Sequence, residues 1–153
     1  MVTEGDAIPD LTLAAADGSP VVLRDHVGAP FVLYFYPKDD TSGCTREAQD
    51  FSVLYPAFRA AGAAVLGVSR DSPSRHARFV AKFALTVPLA SDEDGAAAAA
   101  FGTWVEKSLY GRTYMGIERA TFLFDAGGRL ARTWRKVRVP GHAEAVLGAV
   151  NSL

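Results

Sequence analysis

Apolar residues along the chain fall into two alternating kinds of segment. Phe31-Val32-Leu33-Tyr34-Phe35 and Ala63-Ala64-Val65-Leu66-Gly67-Val68-Ser69 are short unbroken runs, the pattern of strands buried on both faces. After each, apolar residues recur at helical spacing: Phe51, Leu54, Tyr55 and Phe58, then Phe79, Val80 and Phe83. Gly62 predicts a stop for the first helix near residue 61. Ser72-Pro73 predicts the start of the second, with proline in a first-turn position where its missing N–H costs nothing.

The flanks extend the alternation. Leu11-Thr12-Leu13-Ala14 and Val21-Val22-Leu23 around Asp17-Gly18-Ser19-Pro20 predict an N-terminal hairpin. Val87-Pro88-Leu89-Ala90 predicts a short strand, which proline confines to a sheet edge or to a strand start. Residues 95–101, rich in alanine, predict a short helix, and residues 103–116 an irregular loop with short extended pieces. Ala120-Thr121-Phe122-Leu123-Phe124 and Arg129-Leu130-Ala131-Arg132-Thr133-Trp134 bracket Asp125-Ala126-Gly127-Gly128 as a second hairpin. Residues 141–153 close as an amphipathic helix with Ala145, Val146, Ala149 and Val150 on one face. No repeat or linker interrupts the order, so one domain over residues 1–153 is expected. Its class is α/β, a central mixed sheet flanked by helices.

Composition narrows the partners. A formal net charge of −1 gives no electrostatic footprint for nucleic acid or an anionic membrane. No apolar run approaches the ~18 residues that span a bilayer. The start, Met1-Val2-Thr3-Glu4-Gly5-Asp6, lacks the basic and apolar regions of a signal peptide. A single cysteine cannot form an internal disulfide, so a reducing, cytoplasmic setting is expected. No Gly-rich phosphate loop and no cluster with metal-ligand spacing occurs, so neither cofactor nor metal is expected.

The candidate chemistry centres on that cysteine. Cys44 falls where the helix after the first buried strand should begin. A helix start presents free N–H groups and the positive end of a dipole, and both favour a thiolate, the nucleophilic form. A lone cysteine is more often a small buried hydrophobe. Here Ser42, Gly43 and Thr45 are small or polar, which argues against an apolar pocket. No Cys-x-x-Cys pair is present, and Asp50 occupies the place where a Cys-x5-Arg phosphatase loop needs arginine. His26, His76 and His142 fall in no recognisable signature, and each is expected at the surface or at a helix cap. Trp104, Phe79, Phe83 and Tyr110 are expected to supply core or pocket wall.

Pro37, Thr41 and Cys44 match the Pro-x-x-x-Thr-x-x-Cys signature of the peroxiredoxins, thiol peroxidases with a thioredoxin-like fold. Tyr34-Phe35-Tyr36-Pro37-Lys38 and Gly43-Cys44-Thr45-Arg46-Glu47-Ala48 resemble the bacterioferritin-comigratory, or Q-type, branch. The likeness continues through Gly67-Val68-Ser69, Asp71-Ser72, His76, Tyr110-Gly111-Arg112-Thr113-Tyr114 and Arg119-Ala120-Thr121-Phe122-Leu123. The resemblance implies that Cys44 attacks peroxide, that Thr41 hydrogen-bonds the sulfur and the peroxide, and that Pro37 packs over the sulfur. It implies that Arg119 stabilises charge there, with Arg46 and Arg112 as competitors for that role. Gly43 and Glu47 would belong to the substrate pocket, Glu47 either ordering the arginine or capping the helix. Ser42 departs from the proline usual in the branch.

A second departure concerns recycling. Gln49 and Val80 occupy the two places where Q-type members carry a resolving cysteine. The expectation is therefore a one-cysteine peroxidase, a monomer, acting on hydrogen peroxide or small organic hydroperoxides. An external thiol would reduce it: thioredoxin, glutaredoxin or a small thiol. A redox sensor using Cys44 in mixed disulfides and a non-catalytic thioredoxin-like binding module are the alternatives.

Overall fold

The computed structural model describes residues 1–153. Strands β1 (Thr12–Ala15) and β2 (Pro20–Val22) form the N-terminal hairpin, and a 3-10 turn over Leu23–His26 leads to β3 (Phe31–Phe35). There follow α1 (Ser42–Ala60), β4 (Ala64–Ser69), α2 (Pro73–Phe83), β5 (Leu89–Ser91) and α3 (Ala96–Phe101). Two hairpins come next, β6 (Trp104–Leu109) with β7 (Arg112–Ile117), then β8 (Ala120–Phe124) with β9 (Leu130–Trp134). Helix α4 (His142–Asn151) ends the chain.

Seven strands make one mixed sheet in the order β2-β1-β5-β4-β3-β8-β9, with β3, β4 and β5 parallel and the outer pairings antiparallel. The buried β3 run sends alternate side chains to opposite faces, as any strand must. Phe31, Leu33 and Phe35 meet Phe101 and the alanines of α3. Val32, Tyr34 and Tyr36 meet Phe51 and Phe58 of α1, Phe79 of α2 and Val146 of α4. Pro88 precedes β5 rather than lying in it, so the strand pairs in the sheet interior, between β1 and β4. Proline had left both an edge and a strand start open; it is a start.

Helix α1 contains Pro56, which cannot donate to the carbonyl of Ser52. The Thr86 hydroxyl takes over that carbonyl at 3.1 Å, while Ser52 Oγ accepts from the N–H groups of Thr86 and Val87 at 3.0 and 3.1 Å. The proline therefore ties α1 to the connection between α2 and β5 instead of breaking the helix.

Four expectations need correction. Residues 103–116 form a regular two-stranded hairpin, turned by Tyr110 (φ 51°) and Gly111 (φ 77°). Two successive positive φ angles are what a tight two-residue hairpin requires, and Tyr-Gly is not the usual Asn-Gly signature for it. The same hairpin leaves Tyr110 96% and Trp104 40% exposed, so neither is core; Trp104 instead stacks under the Arg70 guanidinium at 4.7 Å. Ala145 lies on the exposed side of α4, whose buried positions are His142, Ala143, Val146 and Val150. His76 and His142 are buried, not superficial.

Candidate active site

The sheet register brings the candidate residues to one place. Antiparallel pairing of Phe35 with Ala120 puts the chain leaving β3 beside the chain entering β8. The first continues through Pro37 to Thr41 into α1; the second carries Arg119 immediately before its strand. Thr41 is the N-cap of α1, so Ser42, Gly43 and Cys44 occupy its first turn, and the first helical bond runs from Thr45 N–H to Thr41 O at 2.8 Å. The sulfur thus lies among the unpaired N–H groups of a long helix.

Cys44 is 2% exposed and joins the apolar cluster of Tyr34, Tyr36, Phe51 and Phe79. Its small polar neighbours in sequence pointed away from such a pocket, but helical geometry presents Cys44 with Ala48 and Phe51, not with Gly43 and Thr45. Cys44 and Glu47 are three residues apart and share that inward face. Arg119 bridges them: Nη1 donates to Glu47 Oε1 at 2.6 Å and Nη2 to Cys44 Sγ at 3.4 Å. Glu47 therefore orders the arginine. Arg46 is excluded from that place, with its side chain 68% exposed and only Asp50 within reach at 4.0 Å. Arg112, on β7, is likewise exposed.

Gly43 leaves the guanidinium room to approach. A Cβ there would stand 3.2 Å from Arg119 Nη2, closer than packed atoms tolerate without movement. Pro37 is half-buried just beyond β3. Thr41 is exposed, and its hydroxyl donates to the carbonyl of Lys38 at 2.9 Å rather than to the sulfur. The expected Thr41–Cys44 hydrogen bond is therefore not formed in this conformation, because the hydroxyl closes the turn.

Burial dominates the electrostatics. Glu47 is 1% exposed, and its carboxyl is pushed up to about 7 by burial, against the nearby charge and hydrogen bond of Arg119. Its second oxygen, Oε2, makes no hydrogen bond. For Arg119 burial works against the charge, yet the interactions with Glu47 and Cys44 outweigh it and hold the guanidinium more firmly protonated. His142, at the start of α4, bonds Thr121 Oγ1 through Nε2 at 2.7 Å. Burial, helped by the charge of Arg119, lowers it to about 4 and keeps the ring neutral at pH 7.

Known proteins resemble this chain over most of its length. The model of the AhpC/TSA family matches residues 4–133. Peroxiredoxin Bcp of Xanthomonas campestris is 50% identical over 143 residues, 94% of this chain and 89% of that one. Peroxiredoxin Bcp of Bacillus subtilis is 44% identical over 149 residues, 97% of this chain and 95% of that one. The chain belongs to the AhpC/TSA family, in its peroxiredoxin Bcp branch. Among solved structures, Xylella fastidiosa peroxiredoxin Q superposes with a TM-score of 0.94 at 40% identity, covering 99% of this chain and 97% of that one. The Xanthomonas campestris bacterioferritin comigratory protein, studied for its alkyl peroxide reduction activity, gives a TM-score of 0.89 at 47% identity, covering 96% and 98%. The thioredoxin-like peroxiredoxin fold expected from the motifs is thus the fold of this chain.

Two different Cys→Ser mutants are known for the Xanthomonas protein, which therefore has at least two cysteines where this peroxiredoxin has one. Gln49 is exposed on α1, and Val80 packs half-buried on α2. Sequence reasoning gave Asp39 no role and expected His76 and His142 at the surface or at a helix cap, whereas all three are buried. A signal existed for the histidines. His76 precedes Phe79 and Val80 by three and four residues, and His142 precedes Val146 by four, so both fall on apolar helical stripes.

Proposed function

We propose that this peroxiredoxin is a one-cysteine peroxidase that reduces hydrogen peroxide and small organic hydroperoxides at Cys44. The single observation that carries the reading is the Arg119 guanidinium, which donates to the sulfur while fixed by buried Glu47. A cation held there stabilises both the thiolate and the negative charge that develops on the departing oxygen. The Cys44 thiolate attacks one peroxide oxygen, the O–O bond breaks, and the other oxygen takes a proton and leaves as water or alcohol. The sulfur, oxidised by two electrons, becomes a sulfenic acid. Thr41 turns its hydroxyl from the Lys38 carbonyl toward the bound peroxide, and Pro37 limits access to the sulfur. Gly43 leaves room for substrate beside Arg119.

With no second cysteine, regeneration needs two external thiols. The first condenses with the sulfenic acid to a mixed disulfide and releases water. The second displaces Cys44 as thiol and departs as the oxidised disulfide. Thioredoxin, glutaredoxin and a small thiol all satisfy that chemistry, in the reducing cytoplasm that a lone thiol suits. Cys44, Glu47 and Arg119 come from one chain, which supports a monomer of a single domain as the working unit.

Intact-mass spectrometry after one equivalent of peroxide tests the scheme. The expected product gains the mass of one oxygen atom, is trapped by a sulfenate reagent, and yields a transient mixed disulfide when thiol is added. Sustained peroxide consumption with one of the three thiol donors separates a peroxidase from a sensor. A stable dimer linked through Cys44 that turns over with thioredoxin would overturn the one-cysteine scheme.

A further inference from the structure

A second buried polar cluster lies behind the loop that leads to Cys44. Tyr36, Asp39 and His76 are 1%, 2% and 0% exposed. The Tyr36 hydroxyl donates to Asp39 Oδ1 at 2.6 Å, and His76 Nδ1 meets Asp39 Oδ2 at 2.7 Å. His76 Nε2 lies 3.0 Å from the carbonyl of Ala90. A carbonyl can only accept, so Nε2 carries a hydrogen and Nδ1 is the ring nitrogen that faces the carboxylate. The main chain of Asp39 is held too. Its N–H donates to Asp71 Oδ2 at 2.9 Å, and Asp71 is fixed in turn by Ser69 Oγ at 2.7 Å and Arg75 Nε at 2.9 Å. One loop residue is thereby tied to the end of β3, to α2, to β5 and to the turn after β4.

The next residue accounts for so much restraint. Asp40 has φ 60°, a left-handed backbone that a residue with a side chain adopts only at a cost. Its own side chain makes only an exposed pair with Lys82 at 2.8 Å. Such a conformation persists where the surroundings over-determine it. Relaxation of residue 40 to negative φ would redirect the chain entering Thr41 and the first turn of α1, and with it the sulfur that Arg119 Nη2 reaches.

We propose that His76 is a positioning residue for the reaction at Cys44. Through Asp39 it locks residues 37–41 in the conformation that presents the sulfur to Arg119. The inference rests on the peroxidase reading above.

Rapid mixing with hydrogen peroxide, following oxidation of Cys44, tests it on wild type, His76→Phe and Asp39→Asn. Phenylalanine keeps a planar ring but bonds neither Asp39 nor Ala90. Asparagine keeps the connections without charge: its oxygen accepts from Tyr36, its amide donates to Nδ1 of a neutral His76, and Nε2 still donates to Ala90. His76→Phe should oxidise about ten- to a hundredfold more slowly, the scale of losing buried hydrogen bonds, and Asp39→Asn should stay within about threefold of wild type. Hydrogen exchange at the amides of residues 39–45 should quicken in the same order. Tyr36→Phe, which loses the short bond to Asp39 and the longer 3.3 Å contact with His76 Nδ1 but keeps the His76–Asp39 pair, serves if His76→Phe does not fold, with a slowing of about three- to tenfold. A folded His76→Phe or Tyr36→Phe reacting at the wild-type rate overturns the proposal, and so does an equal loss in Asp39→Asn and His76→Phe. Failure of wild type itself to react overturns the peroxidase reading instead, and the exchange rates still test the lock.

Discussion

Two carboxylates are buried on the same side of the sheet, and the protein treats them in opposite ways. Asp39 has both oxygens and its N–H engaged, by Tyr36, His76 and Asp71. Glu47 has one oxygen on Arg119 and the other without a partner. A fully satisfied buried network rigidifies its surroundings, whereas a half-satisfied one costs stability and stays electrostatically available. The Asp39 cluster spends its hydrogen bonds on shape. The Glu47 cluster leaves part of its field on the sulfur, since Arg119 donates to Glu47 and to Cys44 at once. Reactivity and restraint are thus assigned to separate side chains a few residues apart.

The largest expected break in this comparison is Cys44→Ser. It should abolish peroxide consumption while leaving the far-ultraviolet circular dichroism unchanged, because both carboxylate clusters keep their partners. Residual turnover in the purified variant would move the chemistry away from Cys44. Next comes Arg119→Ala, which removes the only side-chain donor to the sulfur. Loss of one such donor costs about 10²–10³ in rate, and stopped-flow oxidation of Cys44 should fall by that order. Arg119→Lys should rescue little, because one ammonium cannot reproduce the fork that spans Glu47 and Cys44. A wild-type rate in either variant would remove Arg119 from the mechanism.

Glu47 and His142, two buried groups that sense the charge of Arg119, also predict opposed pH dependences. Glu47 rises from 4.5 to about 7 on folding, because of burial. The folded protein therefore holds a proton that the unfolded chain releases, and stability falls as pH climbs through that window. His142 drops from 6.5 to about 4, again because of burial. Its contribution is fully present above pH 6.5 and is lost as pH falls toward 4. Between about 4.5 and 6.5 the two slopes cancel in part. Urea unfolding of Glu47→Gln should gain on wild type as pH rises, and His142→Asn should lose on it, each by at most about 1.4 kcal/mol per pH unit. A Glu47→Gln curve parallel to wild type would mean that Glu47 titrates alike in the folded and unfolded chains, without the upward shift.

Strands β3 and β4 and helices α1 and α2 were legible because each is a long apolar run or stripe with clear caps. The family resemblance singled out Cys44, Glu47 and Arg119, and only the β3–β8 register shows how residues 44 and 119 meet. The β6–β7 hairpin was not legible, since exposed strands lack the alternation that burial imposes. Asp39 was hidden for a different reason. A polar turn such as Lys38-Asp39-Asp40 is ordinarily solvated, and only α2, folding back with His76, converts one of its carboxylates into a buried anchor.

The smallest effect should come from the arginine that sequence placed in competition with Arg119. Arg46 lies two residues beyond Cys44, yet it points to solvent and approaches only Asp50, at 4.0 Å. An exposed pair of this kind contributes about 0–1 kcal/mol, and Arg46→Ala should leave stability within that range. Its charge is separated from the sulfur by the helix itself, because residues two apart project from different faces. The rate of Cys44 oxidation should therefore change by less than about twofold, and the small change should vanish in added salt, which screens exposed charges. Stopped-flow rates for Arg46→Ala at low and high salt make the measurement. A loss comparable to that of Arg119→Ala would show that the field on the sulfur comes from the helix surface rather than from the buried Glu47–Arg119 pair.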